Sequence, residues 1–140
     1  MKKTLVVLFM LGICTVGMVL AQGKERQQAD ILMYKLFGAY QTYNSQIFDS
    51  LVAADFVPDK KEFLKKTESD FYAGQIMEMH FTIDEVIPQN DTLAVHFKWE
   101  RKNVSFSGPD PILTSGQAVF VFKGSENAWL LYQVQNDNPF

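Results

Sequence analysis

The sequence predicts an α+β domain, with its helices first and an antiparallel sheet after them. Three observations carry the prediction. Apolar residues recur every three or four positions from Ala29 to Phe71 and, after Gly74, every second position. Two alternating runs, Met77 to Ile83 and Leu93 to Trp99, flank the turn-forming Pro88-Gln89-Asn90-Asp91, the pattern of an antiparallel hairpin. A third run, Ala118 to Phe122, is apolar at every position and suits a strand covered on both faces. Helices with one apolar stripe followed by a meander of four or more strands bury their faces best as helices on one side of a sheet.

The chain begins with Lys2 and Lys3, an uncharged apolar run from Leu5 to Leu20, and the small residue Ala21. This is the pattern of a secretory signal peptide cleaved between Ala21 and Gln22. The expected organisation is therefore a signal peptide over 1–21, a flexible polar N-terminus over 22–28, and one domain over 29–140. The expected location is secreted or periplasmic. No membrane attachment is expected after cleavage, since no later apolar run approaches about 18 residues. Lipidation at Cys14 would want a small residue where Ile13 stands, and the apolar run continues past the cysteine.

Removing 21 residues from 140 leaves 119, enough to bury a core without metal or disulfide staples. Cys14 is the only cysteine and lies in the leader, which excludes thiol catalysis, cysteine-ligated zinc and disulfide frameworks from the mature chain. The whole chain carries 13 basic and 16 acidic residues, and Lys2 and Lys3 depart with the leader. The remainder is mildly acidic with no basic stripe, so nucleic acid is not an expected partner.

From Ala29 to about Ala53, Met33, Leu36, Tyr40, Tyr43, Ile47 and Leu51 share one helical face, widened by Phe37 and Phe48, with Lys35, Thr42, Gln46 and Asp49 opposite. One long amphipathic helix is expected. Asp55-Phe56-Val57-Pro58 breaks the pattern. Asp59 and Glu62 then form a capping box for a second, shorter helix whose stripe is Phe63, Leu64, Thr67 and Phe71, with Gly74 as its stop. In the first strand Met77, Met79, Phe81 and Ile83 point inward and Glu78, His80, Thr82 and Asp84 outward. Val86 is out of step, which places a bulge near Asp84-Glu85. Residues 101–115 read as loop, Gln117 to Lys123 as a third strand, 124–127 as a turn, and Trp129 to Gln135 as a fourth strand.

This order of features resembles the nuclear transport factor 2-like superfamily (SnoaL-like, cystatin-like cones), which includes polyketide cyclases, ketosteroid isomerase and scytalone dehydratase. The likeness runs through AYQTYNSQIFDSLVAADF (39–56), DKKEFLKKTESDFYAG (59–74), MEMHFTIDEVIPQNDTLAVHFKWE (77–100) and GQAVFVFKGSENAWLLYQVQNDNPF (116–140). It implies a strongly curved sheet wrapped around the long helix, an opening at one end, and a homodimer formed through the sheet. It does not by itself imply an activity, because the fold hosts enzymes, binding domains and assembly domains. The base and second acid of ketosteroid isomerase have no matching residues here.

Candidate chemistry is sparse. Tyr40 and Tyr43 lie on the inward helix face, where a phenol can donate to an oxyanion or simply pack as a core aromatic. Asp55 and Asp84 stand near the expected mouth as candidate bases, with capping and bulge roles as the plainer alternatives. His80 and His96 share an outward face with Glu78 and Glu100. Their spacing lacks the short repeats of a metal site, and no metal or cofactor is expected. Tyr40, Tyr43, Ile47, Phe56, Trp99, Phe122 and Tyr132 are the expected lining of an apolar cavity. The function these residues support first is non-catalytic binding of a small apolar or amphipathic molecule, or assembly as a dimer. Second is a proton-transfer enzyme using Tyr40 or Tyr43 with Asp55, Asp84 or His80. Third is an interaction module with a filled cone.

Overall fold

A computed structural model describes residues 23–125 and 128–140. The expected signal peptide and its Ala21/Gln22 cleavage point lie outside the described residues. Helix α1 covers residues 23–41, α2 Ser45–Ser50 and α3 Lys60–Ala73. The strands are β1 Val52–Val57, β2 Gly74–Gln89, β3 Thr92–Ser105, β4 Pro111–Ser125 and β5 Ala128–Asn136. They form one five-stranded sheet in the order β1-β5-β4-β3-β2, curved and unclosed. The expected α+β architecture, with helices packed on one face of such a sheet, is the one observed.

The first helix differs from its sequence reading at both ends. Residues 23–28, expected to be flexible, are already helical. At the other end the helix stops at 41 rather than near Ala53. Tyr43 takes a positive φ of 55°, Asn44 N–H donates to Ala39 O at 2.9 Å and Tyr43 N–H to Tyr40 O at 3.1 Å. This is a Schellman closure with tyrosine in the left-handed position. Asn44 also caps α2, its side chain accepting from Ile47 N–H at 3.0 Å. The kink resets the helical phase, so Phe48 turns inward and Ile47 is half exposed.

Residues 52–57 then form β1, which the sequence reading missed. It pairs in parallel with β5, so the sheet is antiparallel except along that one edge. Its Val52, Ala53 and Phe56 are buried, but the segment is short and its partner lies nearly eighty residues away. Nothing local distinguishes such a strand from the end of a helix. Asp59 caps α3 as expected, its Oδ1 accepting from Glu62 N–H at 2.9 Å.

The hairpin β2–β3 carries two bulges. The expected one leaves Asp84 without a partner between Ile83 and Glu85 and returns Val86 to the inward face. The second, at Met77, was not expected and leaves that side chain exposed rather than inward. Residues 101–105 and 111–115, read from sequence as loop, are paired strand: Arg101 lies opposite Thr114 and Asn103 opposite Ile112.

Strand β2 is a long sheet edge, and side chains from α1 and the turn after it occupy its free backbone groups. Arg26 Nη2 donates to Ile83 O at 2.8 Å, Gln41 Nε2 donates to Met79 O at 3.2 Å, and Tyr43 Oη accepts from Ile76 N–H at 2.6 Å. An edge so occupied is a poor template for pairing with another chain.

Between α1 and the sheet the interior is filled by aromatic rings. Phe37 meets Phe81, Phe97 and Phe120, with ring centroids 4.7 to 6.4 Å apart. The segment after β5 turns back inward and seats Phe140 against Phe37, Tyr40, Phe48 and Phe120 at 4.7 to 5.6 Å. Trp99 secures that segment, its Nε1 donating to Asp137 O at 2.8 Å.

Candidate functional site

The inward row of β3 runs Leu93, Val95, Phe97, Trp99, Arg101, Asn103, because alternate residues of a strand face one side. Its first four members are apolar and buried. The last two bring a guanidinium and an amide to the end of α1 and the last turns of α3.

There Arg101 Nη1 donates to Tyr40 Oη at 2.8 Å and to Pro139 O at 3.1 Å, and lies 3.5 Å from Asp70 Oδ2. Tyr40 Oη in turn donates to Asp70 Oδ2 at 3.2 Å. Asp70 reaches this point because it stands three residues after the buried Thr67, on the inward side of α3. Tyr40, Asp70, Ala73, Gly74, Ile76, Arg101 and Asn103 enclose a cavity of about 60 Å³. Gly74 is required where α3 passes directly into β2: a Cβ there would collide with the carbonyl oxygen of Val104.

Three buried side-chain polar atoms have no hydrogen-bond partner among the described residues: Arg101 Nε, Asn103 Oδ1 and Thr114 Oγ1. All three belong to this corner. Arg101 and Asn103 line the cavity, and Thr114 stands directly opposite Arg101 on β4. Unpaired buried polar atoms are uncommon in folded proteins and cost about 1–3 kcal/mol each, so three in one place call for an explanation.

The electrostatics favour a neutral phenol. Burial pushes the Tyr40 hydroxyl well above its ordinary titration range; Arg101 pulls the other way, and Asp70 adds to the rise. Its proton is held toward Asp70 and its lone pair by Arg101. Asp70 is itself held by both neighbours. The corner can therefore donate and accept hydrogen bonds, but it contains no unengaged base.

Of the residues expected to line an apolar cavity, Tyr40 alone borders this one. Phe122 and Trp99 are core, and Phe56 stacks on Phe63 at 4.4 Å beside an open cleft of about 260 Å³. Ile47 points outward for the phase reason given above. Tyr132 sits at a bulge of β5, under the ammonium of Lys123 at 4.8 Å. Tyr43 is engaged with the edge of β2. The volume expected to be hollow is occupied chiefly by Phe140.

The candidate bases are dispersed. Asp55 lies on the sheet's other edge, its carboxyl held below the ordinary range by a 2.9 Å hydrogen bond from Lys123. Asp84 is at its bulge, 3.8 Å from Lys98. His80 is 73% exposed and faces Glu100, while His96 faces Glu85, so the two imidazoles lie four residues apart along β3, about 13 Å. They do not meet, and among the described residues no three acidic, histidine or cysteine side chains are grouped to hold a metal. Arg101, Asn103, Asp70 and Thr114 were not singled out from sequence. The signal was present: continuing the alternation of Leu93 to Trp99 by two more steps puts Arg101 and Asn103 inward.

No protein-family model matches the sequence, and no curated protein matches it. Solved structures do match. A conserved protein from Planctomyces limnophilus DSM 3776 is 20% identical with a TM-score of 0.72, over 82% of this chain and 96% of that one. A nuclear transport factor 2-like superfamily protein from Salmonella enterica is 11% identical with a TM-score of 0.68, over 84% and 93%. A ketosteroid isomerase-like protein from Erwinia carotovora is 15% identical with a TM-score of 0.63, over 75% and 88%. At these identities the likeness is one of fold, and with the helices packed on the curved, unclosed sheet it is sufficient for that: the chain has the nuclear transport factor 2-like fold.

Proposed function

We propose that this is an extracytoplasmic, non-catalytic binding domain that seats the polar end of a small amphipathic molecule at the mouth of the cone, against Arg101, Asn103 and Thr114. The observation that supports this reading is the convergence of Tyr40, Asp70, Arg101 and Asn103 on one cavity. A ligand's polar group placed there meets hydroxyl, carboxylate, guanidinium and amide side chains together. Ile76 lines the same cavity, with the exposed Met77 next to it on β2 and the exposed Ile112 opposite Asn103 on β4, giving an apolar rim for the rest of such a molecule. The commitment of Tyr40 and Asp70 to each other and to Arg101 favours binding over catalysis in this reading. Location outside the cytoplasm rests on the leader pattern of the first 21 residues.

Native mass spectrometry of the chain purified from its own host tests the reading. The expected result is an adduct of discrete mass that Arg101→Met loses. Bare protein in both samples counts against it.

A second reading, self-association through the sheet, is favoured by one observation. Tyr72, Met77, Phe106, Ile112 and Leu113, five large and exposed apolar residues, gather at the end of β2, β3 and β4. Sedimentation at micromolar concentration decides it, and a clean monomer excludes it.

A further inference from the structure

The sheet ends, where β3 turns into β4, in exposed apolar side chains on both of its faces. We infer that this end of the molecule docks on a lipid surface, with Tyr72, Phe106, Ile112 and Leu113 entering the boundary between headgroups and acyl chains. The contact is peripheral, not a span. It does not depend on the binding reading, since none of these four lines the cavity beside Tyr40 and Arg101.

The backbone makes the patch continuous. Tyr72 stands one residue before Ala73, the last of α3, and Ala73 O accepts from Phe106 N–H at 3.3 Å. Ile112 lies opposite Asn103 and Leu113 opposite Lys102; Asn103 in turn lies opposite Ile76, the residue before the bulge at Met77. Tyr72, Phe106 and Leu113 are each more than 70% exposed, and Met77 and Ile112 about half. Large apolar side chains so grouped mark a contact with a protein or a membrane.

Strand geometry chooses between the two. Successive residues of a strand point to opposite faces, so Ile112 and Leu113 expose apolar groups on the two sides of β4. A protein partner seated on the sheet, a second copy included, covers one face. A medium that surrounds the tip covers both, and an acyl layer does so without shape complementarity. Tyrosine suits such a boundary, with an apolar ring and a hydroxyl that stays wet.

Charge sets the kind of lipid. Lys102 stands between Glu78 and Leu113 in register, and Asp110 lies in the turn from β3 to β4. One cation beside two carboxylates gives no attraction to an anionic surface, so the contact relies on apolar burial. Asp110 has to stay hydrated, which keeps insertion shallow.

The test is flotation of the chain, purified from its own host, with vesicles of phosphatidylcholine alone. The expected result is co-flotation that neither added phosphatidylserine nor raised salt changes by more than about twofold. The double substitution Phe106→Ser, Leu113→Ser, at two exposed positions, should lower it at least about tenfold. Phe106→Trp should float as the native chain does, with its emission shifted to the blue. Absence from the floated fraction overturns the proposal. So does flotation that the double substitution leaves intact, which places the contact elsewhere in the chain, and so does flotation that needs phosphatidylserine. A dimer that the double substitution dissociates, without flotation, assigns the patch to a second copy and overturns it as well.

Discussion

Strand β3 crosses two regions that obey different rules. Up to Trp99 its inward side chains are apolar and meet other apolar groups: Phe97 and Phe120 lie 4.6 Å apart and Phe140 fills what would otherwise be a hollow. Beyond Trp99 the same row continues with Arg101 and Asn103, and buried polar atoms go unpaired. The interior is filled by aromatic rings, while the corner next to it, joined to it through Tyr40 and Pro139, holds polar atoms that the folded chain leaves unpaired. The binding site proposed above lies in the second of these regions.

The largest effect is expected from opening the filled region. Phe140→Ala removes a ring that is 3% exposed and should destabilise the domain by about 3–5 kcal/mol in urea unfolding. If the interior is filled as described, that variant also gains a dry apolar cavity and a saturable response to benzene that the native chain lacks. Full stability after the substitution would break the contrast between the two regions.

Arg101→Met addresses the other side. It should abolish ligand retention while costing less stability than Phe140→Ala, since the Arg101–Asp70 pair is partly solvated. A smaller loss, of about 1 kcal/mol, is expected from Asn44→Ala, which removes the cap that starts α2 after the kink.

Alkaline titration sharpens the picture at Tyr40. A phenol whose folded titration point is raised contributes stability in full below its unfolded value of 10, and loses it as pH climbs above that value. The native chain should therefore be progressively destabilised above about pH 10. Relative to Tyr40→Phe, it should show the additional tyrosinate absorbance only as it unfolds. Early ionisation of Tyr40 in the folded chain would contradict the closed Tyr40–Asp70–Arg101 arrangement. The smallest effect is expected at the exposed Lys123–Asp55 pair, where Lys123→Ala should leave the unfolding midpoint unchanged within error.

Much of the fold was legible from local pattern. The cap at Asp59, the alternation of β2 and β3, and the bulge at Asp84 are each set by neighbours within a few residues. What was not legible depends on distant partners. β1 exists because β5 lies beside it, and the end of α1 depends on Tyr43 accepting a left-handed conformation while its hydroxyl binds the edge of β2. The site was half hidden for a related reason. Tyr40 announced itself as an aromatic on a buried face. Arg101 and Asn103 broke the apolar alternation and so read as loop, although the break marked the point where the inward face becomes polar.

A crystal structure of the chain at atomic resolution tests the central claim most directly. The expected result is ordered density, solvent or ligand, in the cavity lined by Tyr40, Asp70, Arg101 and Asn103, with the Phe140 ring in place among Phe37, Tyr40, Phe48 and Phe120. A corner in which Arg101, Asn103 and Thr114 satisfy one another or neighbouring backbone, leaving no cavity, would contradict it.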